Sequence, residues 1–139
     1  MAGNAASYMG LGAGFQGAKF HSTASTAITF TADDQAYLNL VGGDGWASAA
    51  RVKLPKPEAG VRFDVFFIGD AVSSATKICS TGDDFDIYVV NDTTCQAVAL
   101  NSTAEGGGGI TMFGINNNRY VAWDFAGSSA NRALQSTTT

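Results

Sequence analysis

The single histidine of the chain limits its catalytic chemistry. His21 follows a run of glycine and alanine, and such a segment cannot easily hold a general base within hydrogen-bond reach of a nucleophile. We therefore expect no Ser-His-Asp or Cys-His site, and we predict that His21 is exposed or lies at an interface. One imidazole and two thiols are too few for a structural zinc site. The sequence predicts a protein that is not an enzyme and that uses no metal or cofactor.

Two acidic clusters offer the chemistry that remains, Asp33-Asp34 and the run from Asp83 to Asp86. In the second cluster, strand alternation places Asp84 and Asp86 on one side, where two carboxylates could face a calcium ion or the hydroxyl groups of a sugar. The run lacks the glycine and the terminal glutamate of an EF-hand loop. The other interpretation, which we favour, is a solvated acidic turn that discourages pairing between sheet edges.

Aromatic and sulfur-containing side chains leave two further questions open. Trp46, Tyr120 and Trp123 could stack on sugar rings, or they could belong to a core or an interface. Cys79 and Cys95 could form a disulfide if their segments are neighbours, and otherwise they are free thiols that behave as small core side chains. The glycine-rich runs 42–45 and 106–109 lack the Lys-Ser or Lys-Thr of a phosphate loop, so we expect wide turns.

Composition restricts the class of partner. Hydrophobic residues make up 45% of the chain and charged residues only 14%, whereas about 25% is usual for a soluble domain. The formal net charge is −4 and the eight basic residues are scattered along the sequence. Nucleic acids and anionic membranes require clustered lysine and arginine, so we expect neither as a partner. No secretory start and no long apolar window is evident, which predicts a soluble protein.

The N-terminal segment 1–25 differs in kind from the rest. Its many glycines make a stable helix or strand costly, yet large apolar residues are spaced along it. These are Tyr8, Met9, Leu11, Phe15 and Phe20. Two interpretations remain open: an arm that becomes ordered against a partner, with these side chains as its anchors, or an irregular strand that lies along its own domain.

Strand alternation begins at residue 26 and defines a domain over 26–126. Leu38 and Leu40 alternate with polar neighbours, and the strand 61–68 becomes apolar on both faces, which predicts a place in the middle of a sandwich or under a neighbouring subunit. The predicted strands are 28–31, 37–40, 52–54, 61–68, 76–79, 85–90, 96–100, 110–115 and 119–125. We therefore predict an all-β fold, an antiparallel β-sandwich or open barrel of about eight short strands. Residues 127–139 are expected to form a flexible tail unless a neighbour holds them.

Two segments of this domain resemble those of a known family. Leu54-Pro55-Lys56-Pro57-Glu58-Ala59-Gly60-Val61-Arg62-Phe63 is similar to the turn that leads into a hydrophobic strand in small phage head proteins. The hairpin 110–123, with Asn116-Asn117-Asn118 as its turn, resembles their closing strand pair. With the threonine-rich strand 27–31, the resemblance covers residues 26–126, and the glycine-rich arm and the two cysteines depart from it.

The chain thus resembles the capsid decoration, or cement, proteins of tailed bacteriophages. The resemblance implies a virion structural protein without catalytic residues. It would bind the major capsid protein on the capsid exterior, commonly as a homotrimer, and stabilise contacts between capsomers. The alternative from the residues is a receptor- or carbohydrate-binding module of a phage fibre, in which Trp46, Asp84, Asp86 and Trp123 would surround one pocket.

Overall fold

The fold consists of two β-sheets. The computed structural model describes residues 15–21, 27–42, 50–68, 76–80, 86–89, 97–100, 108–126 and 134–137. The strands in these ranges are β1 (Gly17–His21), β2 (Ala27–Thr29), β3 (Tyr37–Gly42), β4 (Arg51–Leu54), β5 (Arg62–Ile68), β6 (Lys77–Ser80), β7 (Asp86–Val89), β8 (Ala97–Leu100), β9 (Gly108–Asn116), β10 (Arg119–Ala126) and β11 (Leu134–Thr137). A single 3₁₀ turn, Ala32–Asp34, is the helical element of this part of the chain, and no helix there is long and apolar enough to span a membrane. The predicted all-β fold class is confirmed.

The strands pair in both directions, whereas the sequence led us to expect antiparallel pairing. One sheet has the order β1-β3-β5-β9-β10-β7 and the other has the order β11-β8-β6-β4-β2. The first six strands alternate between the sheets, so β1, β3 and β5 are parallel to each other, as are β2, β4 and β6. Parallel neighbours need a crossover connection, and here a strand of the facing sheet provides it. Alternation of side chains shows that a strand is half-buried but not which strand pairs with it.

One hydrophobic core lies between the two sheets, as in a sandwich. Side chains from both sheets form a single buried cluster: Phe30, Val41, Ala50, Val52, Leu54, Phe63, Val65, Phe67, Ile78, Ile87, Val98, Ile110, Met112, Tyr120 and Ala122. The ring of Phe63 lies between those of Phe30 and Tyr120, with centroid distances of 5.9 and 6.3 Å. β5 sits between β3 and β9, so the predicted central place of this strand is confirmed.

The alternation in β3 indicated that its leucines face the core. In the structure the opposite side of the strand faces the core. Asn39 and Val41 are fully buried on the inner side, while Leu38 and Leu40 are half-buried on the outer side. Asn39 is tolerated inside because its amide nitrogen donates to three backbone oxygens, those of Asp34, Tyr37 and Asp64, at 2.9, 3.2 and 3.3 Å. Hydrogen bonding thus offsets the cost of burying this amide.

Both ends of the chain contribute edge strands. For residues 17–21 the structure agrees with the interpretation of a strand that lies along its own domain, whereas β11 was not predicted. Residues 17–21, assigned to the arm, form β1 and pair with β3, so the sheet begins well before residue 26. Residues 134–137, assigned to the flexible tail, form β11 and pair with β8. In both cases backbone hydrogen bonds to an otherwise open sheet edge supply the stabilisation, and these bonds leave no trace in apolar spacing.

The two segments that carry the family resemblance lie against each other. Gly60, at a φ of 88°, takes the left-handed conformation that its turn was predicted to need, and its amide donates to the Gly114 oxygen at 2.9 Å. Tyr120 Oη donates to the Pro55 oxygen at 3.0 Å. A Cβ at position 114 would overlap the backbone oxygen of Glu58, so the loop and the final hairpin can approach only because Gly114 has no side chain.

Candidate functional site

The outer face of the six-stranded sheet, which points away from the core, is apolar. Strand register places large hydrophobic side chains on it from every strand. We call this set the apolar face: Phe20, Leu38, Leu40, Phe66, Ile68, Tyr88, Phe113, Ile115, Val121 and Trp123. A sheet with one side on the core is usually polar on the other. Phe20 and Ile115 are the exposed members of this set, at 58% and 42%, and the other eight are half-buried. Exposed apolar patches mark sites at which proteins contact other molecules.

One corner of the apolar face is the most exposed. Phe20, Leu40 and Phe66 stand side by side on β1, β3 and β5. Leu40 and Phe66 are half-buried, but Phe20 is 58% exposed. Phe20 thus lies exposed on an edge strand, and it is one of the residues predicted as arm anchors.

Aromatic rings continue the apolar face on its other strands. The rings of Phe113 and Trp123, on β9 and β10, lie 6.5 Å apart between centroids. On the outermost strand, β7, the Tyr88 ring is covered by the Arg119 guanidinium at 4.8 Å. Contacts of this kind are favourable beyond the burial of area. They hold the side chains of this face in fixed positions, as a binding surface requires.

A paired charge lies buried in the middle of the apolar face. Asp64 is only 2% exposed and Thr111 is 0% exposed, although both point away from the core. Arg62 Nε and Nη2 donate to the two carboxylate oxygens of Asp64 at 2.9 and 3.0 Å, and Thr111 Oγ1 donates to Oδ1 at 2.6 Å. Because the charge is neutralised locally, the face offers a partner little net charge.

Polar side chains, instead of apolar ones, attach β1 to the sandwich. Lys19 Nζ lies 3.0 Å from Asp34 Oδ1 and donates to the backbone oxygen of Asp33 at 3.0 Å. Its ammonium also lies 4.6 Å from the centre of the Tyr37 ring. Asp34 Oδ2 accepts from the Thr31 amide at 2.8 Å and so caps the 3₁₀ turn. The Asp33-Asp34 cluster is therefore partly structural and holds the edge strand in place.

His21 is half-buried on the inner side of β1. Its Nε2 lies 3.0 Å from Asn39 Oδ1, and its ring lies 4.9 Å from that of Phe30. Since the Asn39 amide nitrogen donates to the Asp34 oxygen, Oδ1 is the acceptor and His21 Nε2 must carry the proton. His21 thus has a structural role in attaching β1, which differs from the exposed or interfacial position that we predicted.

The predicted binding residues are only partly assembled. Among the arm anchors, Phe15 is half-buried and Phe20 belongs to the apolar face, while Tyr8, Met9 and Leu11 lie outside the described residues, as do Trp46 and Asp84. Asp86 and Trp123 share the outer face, but Asp86 is opposite Arg119, four residues from Trp123, a separation of about 13 Å along the strand. These two residues therefore do not surround one pocket.

The depressions found in the described parts of the chain lie elsewhere. One of ≈ 440 Å³ is lined by Lys56, Pro57, Glu58, Ala59 and Asn117, and one of ≈ 100 Å³ adjoins it along the loop between β4 and β5. Their walls carry no aromatic ring on which a sugar could stack. We assign the candidate site to the apolar face and not to these depressions.

Cys79 is a buried free thiol on β6. Burial raises its pKa, and the nearby cations Arg51, Lys53 and Lys77 lower it by less. A thiol that stays protonated is a poor nucleophile, which is consistent with a structural role. The free thiol of Cys79 agrees with the alternative of unpaired cysteines, and Cys95 lies outside the described residues.

Comparison with other proteins provides no relative. No protein-family model, no curated protein and no solved structure matches the chain. The function is therefore argued from the geometry of the chain itself.

Most residues of the apolar face were not predicted as site residues. The signal for some of them was present, because Phe66 and Ile68 made one strand apolar on both faces. Leu38 and Leu40 gave the opposite signal, since they are the regular apolar positions of β3 and were assigned to the core. Only the register between strands shows that these four side chains share one surface.

Proposed function

We propose that this chain is a non-catalytic structural protein of a virus particle that binds the outer capsid surface and stabilises contacts between capsomers. The observation that carries the proposal is an apolar outer face on a sheet whose inner face already packs in a complete core. A second apolar surface contributes nothing to the core of its own domain, and it is stabilised when another protein covers it.

The segment before β1 extends this surface. Residues 1–14 lead into the strand that carries Phe20, and the chain has no charged residue before Lys19. Fourteen residues in extended conformation reach about 45–50 Å, so the segment can cross from the edge of the sheet into a groove between neighbouring subunits. Tyr8, Met9 and Leu11 would fill apolar pockets there, as anchors do in other interfaces.

A repeated partner suits the energetics of such an arm. Ordering each residue costs roughly 1–2 kcal/mol of conformational entropy, which the few anchors of a glycine-rich segment offset only in part. Binding of several linked copies to a symmetric shell raises the effective concentration of each arm. The trimer implied by the family resemblance would provide this multiplicity.

Co-sedimentation with capsids that lack this protein tests the proposal, once neighbouring genes have identified the major capsid protein. The variant Phe20→Ser and a deletion of residues 2–14 should each weaken capsid binding at least about 10-fold, since 1.4 kcal/mol corresponds to a factor of ten. The matched control is Ala59→Ser, at an exposed position in the loop between β4 and β5 and outside the apolar face. It should leave capsid binding within about 2-fold.

The outcomes separate the proposal from its alternative. Unchanged capsid binding by both the deletion and Phe20→Ser would refute the proposed role of this surface. A glycan-array signal that is lost in Trp123→Ala, together with no capsid binding, would instead favour the carbohydrate-binding module. Light scattering of the same variants measures whether the chain is a trimer.

A further inference from the structure

A depression lies where the loop between β4 and β5 meets the turn between β9 and β10. It has a volume of ≈ 440 Å³, and its walls include Lys56, Pro57, Glu58 and Asn117. Sites that bind small molecules commonly have volumes of about 300–1,000 Å³. The depression is separate from the apolar face and is large enough for a small ligand.

The backbone of the loop is held in place before any ligand arrives. The Pro55 oxygen accepts from Tyr120 Oη at 3.0 Å, and the Gly60 amide donates to the Gly114 oxygen at 2.9 Å. Pro57, between these two attachments, is buried, and its ring fixes its φ. A wall that is already ordered loses little conformational entropy when a ligand binds.

The polar side chains that border the depression are exposed and unpaired. Lys56, Glu58 and Asn117 are each exposed. Neither the ion pairs nor the side-chain hydrogen bonds found among the described residues involve any of the three. One ammonium, one carboxylate and one amide therefore remain available to a ligand, and the formal charges of the depression cancel.

We propose that this depression binds a small zwitterion of dipeptide size, whose carboxylate pairs with Lys56 and whose ammonium pairs with Glu58. One residue separates the two in the chain, so their Cα atoms lie at most about 7 Å apart. The charged ends of an extended dipeptide are separated by about the same distance, since each residue adds about 3.3 Å. Asn117 offers a donor and an acceptor to the amide between them.

A smaller depression beside the first can hold a side chain of the ligand. Its volume is ≈ 100 Å³, and Lys56 and Glu58 border it as well. The apolar side chains of Ala32, Pro55 and Val61 form other parts of its wall. This volume corresponds to about three molecules of liquid water, which is enough for an aliphatic side chain. A dipeptide with one alanine and one valine therefore suits the two depressions together.

A zwitterion suits these charges better than an ion of one sign. An anion beside Lys56 would also be repelled by the Glu58 carboxylate, and a cation beside Glu58 would be repelled by the Lys56 ammonium. A ligand that carries both charges gains from both residues.

Saturation-transfer NMR of the full chain with the dipeptide Ala-Val tests the proposal. We expect saturable, millimolar binding that weakens as salt is added, because the contacts are ionic. Lys56→Gln and Glu58→Gln should each weaken binding about 3-fold, and the double variant should weaken it more than about 5-fold. Exchange of the charges in Lys56→Glu/Glu58→Lys should keep binding within about 3-fold of the wild type, because the dipeptide can bind in the reverse direction.

Matched controls make the outcome decisive. Asp124→Asn removes a carboxylate at an exposed position outside the depression, and it should leave binding within about 1.5-fold. Acetyl-Ala-Val-amide lacks both charges and should not bind. Absence of saturable binding, equally tight binding of this capped dipeptide, or equal losses in Asp124→Asn and Glu58→Gln would each overturn the proposal. Capsid binding enters none of these measurements, so this proposal and the proposed function can fail separately.

Discussion

The two outer faces of the sandwich differ in how their charged side chains are arranged. On the six-stranded sheet, Arg62 and Asp64 neutralise each other through two hydrogen bonds and are surrounded by large apolar side chains. On the five-stranded sheet, Arg51 and Lys53 stand among small side chains and beside a third cation. The first face has neutralised its charged pair and carries large apolar side chains, whereas the second carries half-buried charges of one sign.

The difference shows that the two faces depend on different forces. A hydrophobic surface with neutralised charge gains free energy when another protein excludes water from it, in a largely non-directional way. Like charges side by side on a sheet repel each other, and salt weakens this repulsion. The first face therefore suits a protein partner, whereas the second is sensitive to salt.

Substitution of Asp64, in the middle of the apolar face, should cause the largest change in the free energy of unfolding. Asp64→Ala leaves the partly exposed Arg62 and the buried Thr111 hydroxyl without their acceptor. Breaking a buried pair typically costs 3–5 kcal/mol. Because the Arg62 side chain is 40% exposed, water compensates part of this, and we expect a loss of about 2–3 kcal/mol in the free energy of unfolding. Urea denaturation measures it.

Exposed Asp124 serves as the control for this change, and Asp124→Ala should shift stability by less than about 0.5 kcal/mol. Equal effects at the two positions would mean that the Asp64 network does not stabilise the apolar face.

The stability of the protein at alkaline pH should show that the Cys79 thiol, on the outer side of the five-stranded sheet, is buried. Cys79 has a raised pKa in the folded chain because of burial. An unfolded thiol loses its proton above about pH 8.5, while the folded one keeps it, so the unfolded state binds fewer protons and stability falls as pH rises. We expect the wild type to lose about 1 kcal/mol more than Cys79→Ala between pH 7.5 and 9.5.

The same titration contains an internal check. Tyr120 also has a pKa raised by burial, with a smaller contribution from Glu58, and it should destabilise both proteins above about pH 10. If Cys79→Ala and the wild type lose stability in parallel from pH 7.5 to 9.5, the thiol is not protected by burial.

The smallest expected change is a gain in the free energy of unfolding, on the five-stranded sheet. Arg51→Gln removes a positive charge that lies on the same side of β4 as Lys53 and so relieves their repulsion. We expect a stabilisation of about 0.2–0.5 kcal/mol at low salt, measured by thermal or urea denaturation. The gain should vanish in about 1 M NaCl, where charges more than about 3 Å apart are screened. A destabilisation would indicate that Arg51 has a stabilising partner within the chain.

Sequence patterns predicted the strands that carry a regular apolar alternation. All nine predicted strands are present, from β2 to β10, and they are the ones that fill the core. Apolar alternation does not reveal β1, because its inward positions are occupied by Lys19 and His21; only the interpretation of the N-terminal segment as a strand along its own domain covered it. β11 was missed because Leu134 is its single large apolar residue. The apolar face was only partly predictable from the sequence. A strand such as β5, with apolar side chains on both of its faces, does not show which face packs in the core.

The sequence by itself determined the fold class, the position of the core strands and the scarcity of catalytic groups, because these depend on residue type and on side-chain alternation along one strand. Tertiary structure alone decided the strand directions, the burial of Asn39 and Asp64, and the two contrasting outer faces. The physical reason is that these features depend on pairing between residues distant in the chain. Phe20 comes to lie beside Leu40 and Phe66, and Arg51 beside Lys77, only through register.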